Sequence, residues 1–530
     1  MIPALLLMSI AGLAQVETRP AKPPPLLPPA PRIAPIGQIV LDSPSQEFAT
    51  ILAEERAKLT ELAEHASDES TRRSAAAILK KFEPLPEDRA LQGVRFELMP
   101  EVVRNGESTV AFEWNRTRDL RDLRDHTIDR LWKLASKAAF QERFRVTDQA
   151  LRAIVSRDVQ QPEAWRVLGY VAIADGWATP YAMAQLERGR VLHPRFGWLE
   201  KDWVEPLDQG QLPIGKDART GKIAFGPADE ANAAHAEWSN AWEIVTEHFR
   251  IRSDVPFDEA VAFGRKLEAF HQFFFSWMAD LIGPELPLAK RWRAKLSKPV
   301  ASPVVHHVAY FARKEKYVEE LTPLEGPSIA ESIGYYRRPP QAANSRQRGG
   351  RGMSYFFQDK GGQLPVEATL YHEASHQLLF EMAGRDRLDS NRGHYWLFEG
   401  LGTCFETLKA DGDNHLRFGL PTGPRMDVAR NRILDDKAYT PYEVFEAYGK
   451  AGFESPAKIY DHYAQAMALT LHFLMHPEPR TRDIFLDYAR DAYKGRLRGA
   501  RGLAERLGLE SGALDQQFID YLKRTASPST

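Results

Sequence analysis

One segment constrains the fold more than any other: residues 365–384 begin with a proline and end with a glycine. Proline is accepted in the first turn of a helix and glycine commonly follows the last turn, so the segment predicts a single helix. His372 and His376 are four residues apart, which directs both imidazoles to one face where they can grip one metal ion. Glu373 lies beside them and is placed to take a proton from water bound to that metal.

A second predicted helix, residues 394–406, supplies a third ligand. A catalytic zinc ion binds three protein ligands and keeps its fourth position open for water and substrate. Glu399 is the predicted third ligand, and His394, at the start of the helix, is the alternative. Glu406 lies further along, where it is either a hydrogen-bond partner of a ligand histidine or a surface carboxylate.

The cysteine content limits which metal ligands the site can contain. Cys404 is the only cysteine, so a metal site built from thiolates is excluded and no disulfide can form within the chain. Two imidazoles and one carboxylate, here His372, His376 and Glu399, are a ligand set that favours zinc. The sequence therefore predicts one zinc ion per chain.

The two helices together resemble a known group. An HExxH helix followed by a WLxEG helix is similar to the gluzincin metallopeptidases, which include thermolysin and the aminopeptidase N family. The similarity covers about residues 240–480 and is greatest to exported bacterial gluzincin-like domains of uncharacterised function. It implies that His372, His376 and Glu399 bind zinc and that Glu373 is the general base. The GxMEN exopeptidase sequence is absent before the zinc helix, so recognition of a free amino terminus is not implied.

A later helix, predicted to begin near residue 456, contains Tyr463. Aminopeptidase-like gluzincins place a transition-state tyrosine before a similar helix of small residues. The resemblance therefore implies Tyr463 as the donor of a hydrogen bond to the oxyanion. An ordinary core tyrosine is the alternative, and Tyr460 and His462 are rivals for the same role.

The chain as a whole predicts an α+β fold in two folded parts. Residues 39–205 are predicted to form a mainly helical domain, in which residues 125–196 resemble one tetratricopeptide repeat. This domain is either a docking surface for a protein partner or a plain helical packing domain. Residues 206–235, rich in Gly, Pro, Asp and Ala, are predicted to be a linker. Residues 236–530 are then the gluzincin-like domain, a small β-sheet followed by a helical subdomain that carries the site.

Alternating apolar residues predict strands in both parts. A β-hairpin is expected around residues 105–106, between the runs 94–103 and 108–114. In the second part, strands are predicted near residues 244–252, 304–312, 333–337 and 353–357. The last of these is predicted to lie nearest the zinc helix and to pair with an extended substrate.

The N-terminal residues predict export. Residues 1–16 are an apolar run with small residues, Gly12 and Ala14, near its end, which is typical of a signal peptide. The run is not preceded by Lys or Arg, so a short N-terminal membrane anchor is the alternative. Residues 17–38 contain eight prolines and are predicted to be an extended linker. A periplasmic or extracellular location is therefore expected, with no later membrane-spanning segment.

Charge and site together predict the function. Seventy Lys and Arg residues nearly balance 72 Asp and Glu, and the formal net charge of -2 gives no overall field that would attract nucleic acid. The predicted function is zinc-dependent hydrolysis of peptide bonds, with a peptide or protein as substrate. The alternative is an exported binding or scaffold protein whose helices dock a partner and whose zinc site is structural or vestigial. Glu373 favours the enzyme, because a structural metal site has no use for a base.

Overall fold

The computed structural model describes most of the chain. The described residues are 43–82, 89–106, 109–216, 220–294, 305–338, 352–358, 366–383, 393–412, 414–497 and 502–526. The predicted signal peptide and the proline-rich linker lie outside these ranges. Within them, no helix combines the length and the apolar character that crossing a membrane requires.

Helices make up most of the described chain, and their ends follow ordinary capping rules. The carboxylate of Asp68 accepts a hydrogen bond of 2.7 Å from the N–H of Thr71 at the start of the second helix. Gly169 ends the seventh with a φ of 104°, which glycine adopts without a steric cost. The helices are α1 Pro44–His65, α2 Glu69–Lys81, α3 Arg89–Gln92, α4 Thr109–Trp114, α5 Arg118–Phe140, α6 Phe144–Arg157, α7 Pro162–Leu168, α8 Pro180–Glu187, α9 Val204–Asp208, α10 Ala228–Ala234, α11 Phe257–Trp277, α12 Ala279–Ile282, α13 Pro287–Arg293, α14 Lys314–Glu325, α15 Val366–Ala383, α16 Tyr395–Cys404, α17 Pro424–Arg430, α18 Tyr442–Ala447, α19 Lys450–Phe453, α20 Ile459–Leu474, α21 Pro479–Tyr493, α22 Leu503–Leu507 and α23 Ser511–Ala526.

The strands are short and form small sheets, so the predicted α+β class is confirmed. They are β1 Val94–Glu97, β2 Val102–Arg104, β3 Val171–Ile173, β4 Gly176–Ala178, β5 Val191–His193, β6 Gly197–Leu199, β7 Gln211–Lys216, β8 Ile223–Pro227, β9 Trp242–Val245, β10 Phe249–Ser253, β11 His306–Phe311, β12 Tyr335–Arg337, β13 Met353–Phe357, β14 Lys409–Ala410 and β15 His415–Phe418.

The largest sheet positions the site. Its strand order is β12-β13-β11-β10-β9, and β10, β11 and β13 run parallel while β9 and β12 are antiparallel to their neighbours. Helices α11 and α15 pack against it. The strands predicted near residues 304–312, 333–337 and 353–357 are confirmed as β11, β12 and β13. The single strand predicted over residues 244–252 is wrong, because a turn at residues 246–248 divides this segment into the antiparallel strands β9 and β10. The prediction that residues 353–357 pair with a substrate is wrong, because β13 is already paired on both edges; β12 is the outer described strand on that side.

The hairpin predicted around residues 105–106 is also wrong. β1 pairs with β15 and β2 pairs with β4, both distant in sequence, while residues 109–114 are the helix α4. An alternating pattern identifies a strand without identifying its partner, and a short apolar run is compatible with either a strand or a helix.

Residues 171–234 contain more strand than the sequence predicted. In the tetratricopeptide-like segment, the antiparallel pair β3–β4 separates α7 from the next helix, α8, where such a repeat would have a short turn. Residues 206–235, predicted to be a linker, form the β7–β8 pair and α10. Leu212 and Ala231 of this segment are buried in a small apolar cluster with Trp242.

One apolar core joins the two ends of the described chain. Its buried side chains run from Ile51 in α1 to Leu522 in α23, and the described residues fall in one compact unit. Arg143, just before α6, adds a two-point ion pair with Asp487 of α21, at 2.7 and 2.8 Å. The N-terminal helices therefore pack against the helices around the site and stabilise them.

Candidate metal centre

Helices α15 and α16 bring the three predicted ligands together. His372 and His376 lie one turn apart on α15, and Glu399 lies on α16. Their exposed fractions are 8%, 5% and 5%, so all three are buried polar side chains and need polar partners. In the described part of the chain, this is one of two groups whose ligand atoms lie close enough to hold one metal ion.

The three ligand atoms form a compact triangle. Nε2 of His372 lies 3.0 Å from Nε2 of His376 and 3.5 Å from Oε2 of Glu399. Nε2 of His376 lies 3.7 Å from the same oxygen. A tetrahedral ion with bonds of about 2.0–2.1 Å separates its ligand atoms by about 3.3–3.4 Å. The observed distances bracket that value, so the triangle could hold one metal ion.

Two glycines of α16 allow the helices to approach. A Cβ atom on Gly402 would lie 3.0 Å from Nε2 of each histidine, closer than side chains normally pack. A Cβ on Gly400 would lie 2.8 Å from the carbonyl oxygen of Ala466 in α20. Glycine is therefore required on the face that closes the metal triangle and on the face that packs on α20.

Glu406 orients one of the ligand histidines. Its Oε1 lies 3.1 Å from Nδ1 of His372, and Nε of Arg425 donates to its other oxygen at 2.6 Å. Of the two roles left open for Glu406, the structure shows the hydrogen-bond partner. A proton on Nδ1 leaves the Nε2 lone pair of His372 directed at the triangle, as a metal ligand requires.

The electrostatics of the triangle favour a cation. Burial by itself would lower the pKa of His372, but hydrogen bonds to Glu399 and Glu406 raise the pKa to about 10. Burial would likewise raise the pKa of Glu399, yet its hydrogen bonds to both histidines hold that pKa below its usual value. The carboxylates thus stabilise positive charge at the point where the three ligand atoms meet.

Tyr395 holds the second oxygen of Glu399 and was not predicted as a site residue. Its hydroxyl lies 3.0 Å from Oε1 of Glu399 and 3.2 Å from Oε1 of Glu454. The phenol fixes the carboxylate so that Oε2 faces the histidines. The signal in the sequence was the i, i+4 spacing of Tyr395 and Glu399, which places both on one face of α16.

Glu373 follows His372 on α15 and is half-buried. Its negative charge is one of the influences that raise the pKa of His372, so this carboxylate lies close to the triangle. A Cβ on Gly334, the residue before β12, would lie 2.8 Å from Cγ of Glu373, so the lack of a side chain at Gly334 leaves room for the carboxylate.

Tyr463 of α20 lies in the same charged environment. Burial, followed by the negative charges of Glu399, Glu454 and Glu373, raises its pKa above the usual value, so the phenol keeps its proton and can donate a hydrogen bond. The guanidinium of Arg425 lies 5.5 Å from the centre of its ring.

The three alternative residues are engaged elsewhere or exposed. Tyr460 is 80% exposed. Nδ1 of His462 lies 2.7 Å from the carbonyl oxygen of Phe453, a structural contact. Nδ1 of His394 lies 2.7 Å from the hydroxyl of Tyr488, and this histidine is not a member of the metal-binding group.

Comparison with known proteins adds a family of unassigned function. Residues 366–495 match the family described as "Protein of unknown function (DUF1570)". The matched segment begins with α15 and ends just after α21, so it contains the triangle, Glu373 and Tyr463 and leaves out the five-stranded sheet. No curated protein matches the chain. The description of the family names neither a metal nor a reaction, so gluzincin membership stays a prediction.

Proposed function

We propose that this protein is a zinc-dependent metallopeptidase that hydrolyses peptide bonds in a peptide or protein. The observation that carries the proposal is the triangle of two imidazole nitrogens and one carboxylate oxygen, with the half-buried Glu373 next to it on the same helix. Three ligands leave one position of a tetrahedral ion open, which is the arrangement of catalytic zinc. Imidazole and carboxylate donors suit zinc among the common divalent ions.

The residues divide the chemistry among them. His372, His376 and Glu399 would hold the zinc ion, which when bound supplies a Lewis acid that polarises a carbonyl group and acidifies water. Glu373 accepts a proton from the attacking water and delivers it to the leaving amine nitrogen as the C–N bond breaks. Tyr463 donates a hydrogen bond to the oxyanion that develops on the scissile carbonyl. The products are a carboxylic acid and an amine, so atoms and protons balance.

An extended substrate fits best along β12. This strand is the outer one on its side of the described sheet, and a peptide could add to it by backbone hydrogen bonds. Gly334 leads into β12 and lies against Glu373. A peptide that follows β12 would therefore bring its backbone past the general base.

We also propose that the mature protein acts outside the cytoplasm. Residues 1–16 support this through their apolar run with small residues near its end. Intact-mass measurement of protein recovered from the periplasm or medium tests the idea, since cleavage after the run removes a defined mass. Recovery of the full-length chain in the cytoplasm alone would contradict it.

The test of the activity combines metal analysis with a peptide library. His376→Ala and Glu399→Ala should each contain one zinc ion per chain fewer than the parent protein, and the parent should cleave members of a quenched fluorescent library. Glu373→Gln should keep the zinc ion and lose cleavage, whereas His394→Ala should keep the zinc ion. A zinc content in Glu399→Ala equal to that of the parent would overturn the ligand assignment. Zinc bound without any cleavage, in parent and Glu373→Gln alike, would favour the scaffold alternative.

A further inference from the structure

A second cluster of metal-binding side chains lies away from the triangle, where the β9–β10 hairpin meets α11. His248 lies in the turn between β9 and β10, and Glu268 and His271 are three residues apart on α11, hence on one face of it. One nitrogen or oxygen atom from each of the three lies within 4.8 Å of the others. In the described part of the chain, this is the second of the two groups that could hold a metal ion.

The hairpin turn fixes the carboxylate of the cluster. Oε1 of Glu268 accepts hydrogen bonds from the hydroxyl of Thr246, at 2.6 Å, and from the N–H of His248, at 2.7 Å. Oε2 lies 2.8 Å from Nδ1 of His248. With Oε1 committed to the turn, Oε2 is the oxygen that faces the imidazole, and it is held there before any ion binds.

His271 completes the cluster. Its ring stacks on that of His248, with centroids 3.8 Å apart and planes 19° apart, and packs against Phe275. No group in the described ranges hydrogen-bonds to either of its nitrogens, so a metal ion would not have to displace a protein partner from this ring.

We propose that His248, Glu268 and His271 bind a second divalent transition-metal ion, of the zinc class, that fastens the β9–β10 hairpin to α11. Two imidazoles and a carboxylate suit the same class of ion as the first site. Because ligands come from a hairpin and a helix, the ion would stabilise the packing of these two elements.

The experiment removes the first metal site by mutation and measures how many zinc ions the chain still binds. The full-length His376→Ala variant, saturated with zinc and then exchanged into metal-free buffer, should retain one zinc ion per chain by elemental analysis. His376→Ala/His271→Asn should retain none, and His376→Ala/His415→Asn, which changes a half-buried histidine outside both clusters, should retain one. Adding zinc to metal-free His376→Ala should also raise its Tm.

The outcomes separate the two sites. A His376→Ala chain without zinc, an unchanged Tm on adding zinc, or binding only at millimolar zinc would each overturn the second site. Zinc retained in the His271→Asn double variant would do the same. The count in His376→Ala and its Tm do not depend on whether the His271→Asn chain folds. These two results also do not depend on the proposed peptidase activity. That proposal is tested separately, by cleavage with the parent protein and by the zinc content of Glu399→Ala.

Discussion

Replacing Gly402 by alanine tests how tightly the metal triangle is built. The added Cβ would lie 3.0 Å from Nε2 of His372, 3.0 Å from Nε2 of His376 and 2.9 Å from Cε1 of His376. Neither ring is free to move away. Nδ1 of His372 is held by Glu406, and the ring of His376 stacks on Phe398 with centroids 4.1 Å apart.

The expected change in the free energy of unfolding of Gly402→Ala is the balance of two opposing effects. Alanine in a helix interior is favoured over glycine by about 1 kcal/mol. Forcing a methyl group into a packed site costs about 1–3 kcal/mol. In the metal-free protein the free energy of unfolding should therefore fall by about 2 kcal/mol or less. Zinc binding should suffer more, because displaced nitrogens no longer fit one ion, and we expect affinity to fall at least about 10-fold, or about 1.4 kcal/mol.

Chelator competition measures the affinity and denaturant unfolding of the metal-free protein measures the stability. Gly512→Ala is the matched control, because a Cβ there meets no atom within 4 Å and neither quantity should fall. Gly400→Ala should instead destabilise the fold, since its Cβ would meet the backbone of α20. A Gly402→Ala protein with the zinc affinity of the parent would refute the packing argument.

Three further predictions rest on other contacts. Glu406→Gln should weaken zinc binding about 10- to 100-fold, because the partner that orients His372 is lost, and chelator competition measures this; an unchanged affinity would contradict the role. Tyr463→Phe should lower kcat about 100- to 1,000-fold with little change in KM if the phenol stabilises the oxyanion, as steady-state kinetics on a cleaved peptide would show. Arg157→Ala should cost about 3–5 kcal/mol in urea unfolding, because it leaves Glu55 buried without its partner. The exposed Arg118→Ala is the control for that measurement and should change stability by less than about 0.5 kcal/mol.

Local signals located the elements that carry the site. The helix that carries His372 and His376 was predicted over residues 365–384 and is observed over Val366–Ala383. The prediction succeeded because the preference of proline for the first turn and of glycine for the end of a helix depends on backbone geometry alone. The strand at residues 353–357 was predicted correctly from a run of β-forming residues, which is also a local signal. What the sequence could not supply was its pairing on both edges, which left β12 and not β13 at the edge of the described sheet.

Contacts between distant segments explain the other differences. The run at 94–97 finds its partner at 415–418, more than 300 residues away, and no hairpin rule applies to such a pair. Residues 206–235 look like a linker by composition, yet Leu212 and Ala231 are buried because Trp242 and its neighbours cover them. Burial of this kind depends on tertiary packing, which composition does not encode.

The sequence around helix α16 does contain a signal of the candidate metal centre, but a search for apolar periodicity does not detect it. Tyr395, Glu399 and Gly402 of α16, with Glu406 two residues beyond its end, follow one another at intervals of four, three and four residues, the spacing of a single helical face. Each faces the histidines: Tyr395 through Glu399, Gly402 by leaving room for the rings, and Glu406 through Nδ1 of His372. The residues between them, such as Trp396 and Leu397, are buried in the core. Polar residues along one face of a buried helix need hydrogen-bonding or charged partners, since unpaired polar groups are costly in a core. In this chain that partner is the pair of histidines on α15.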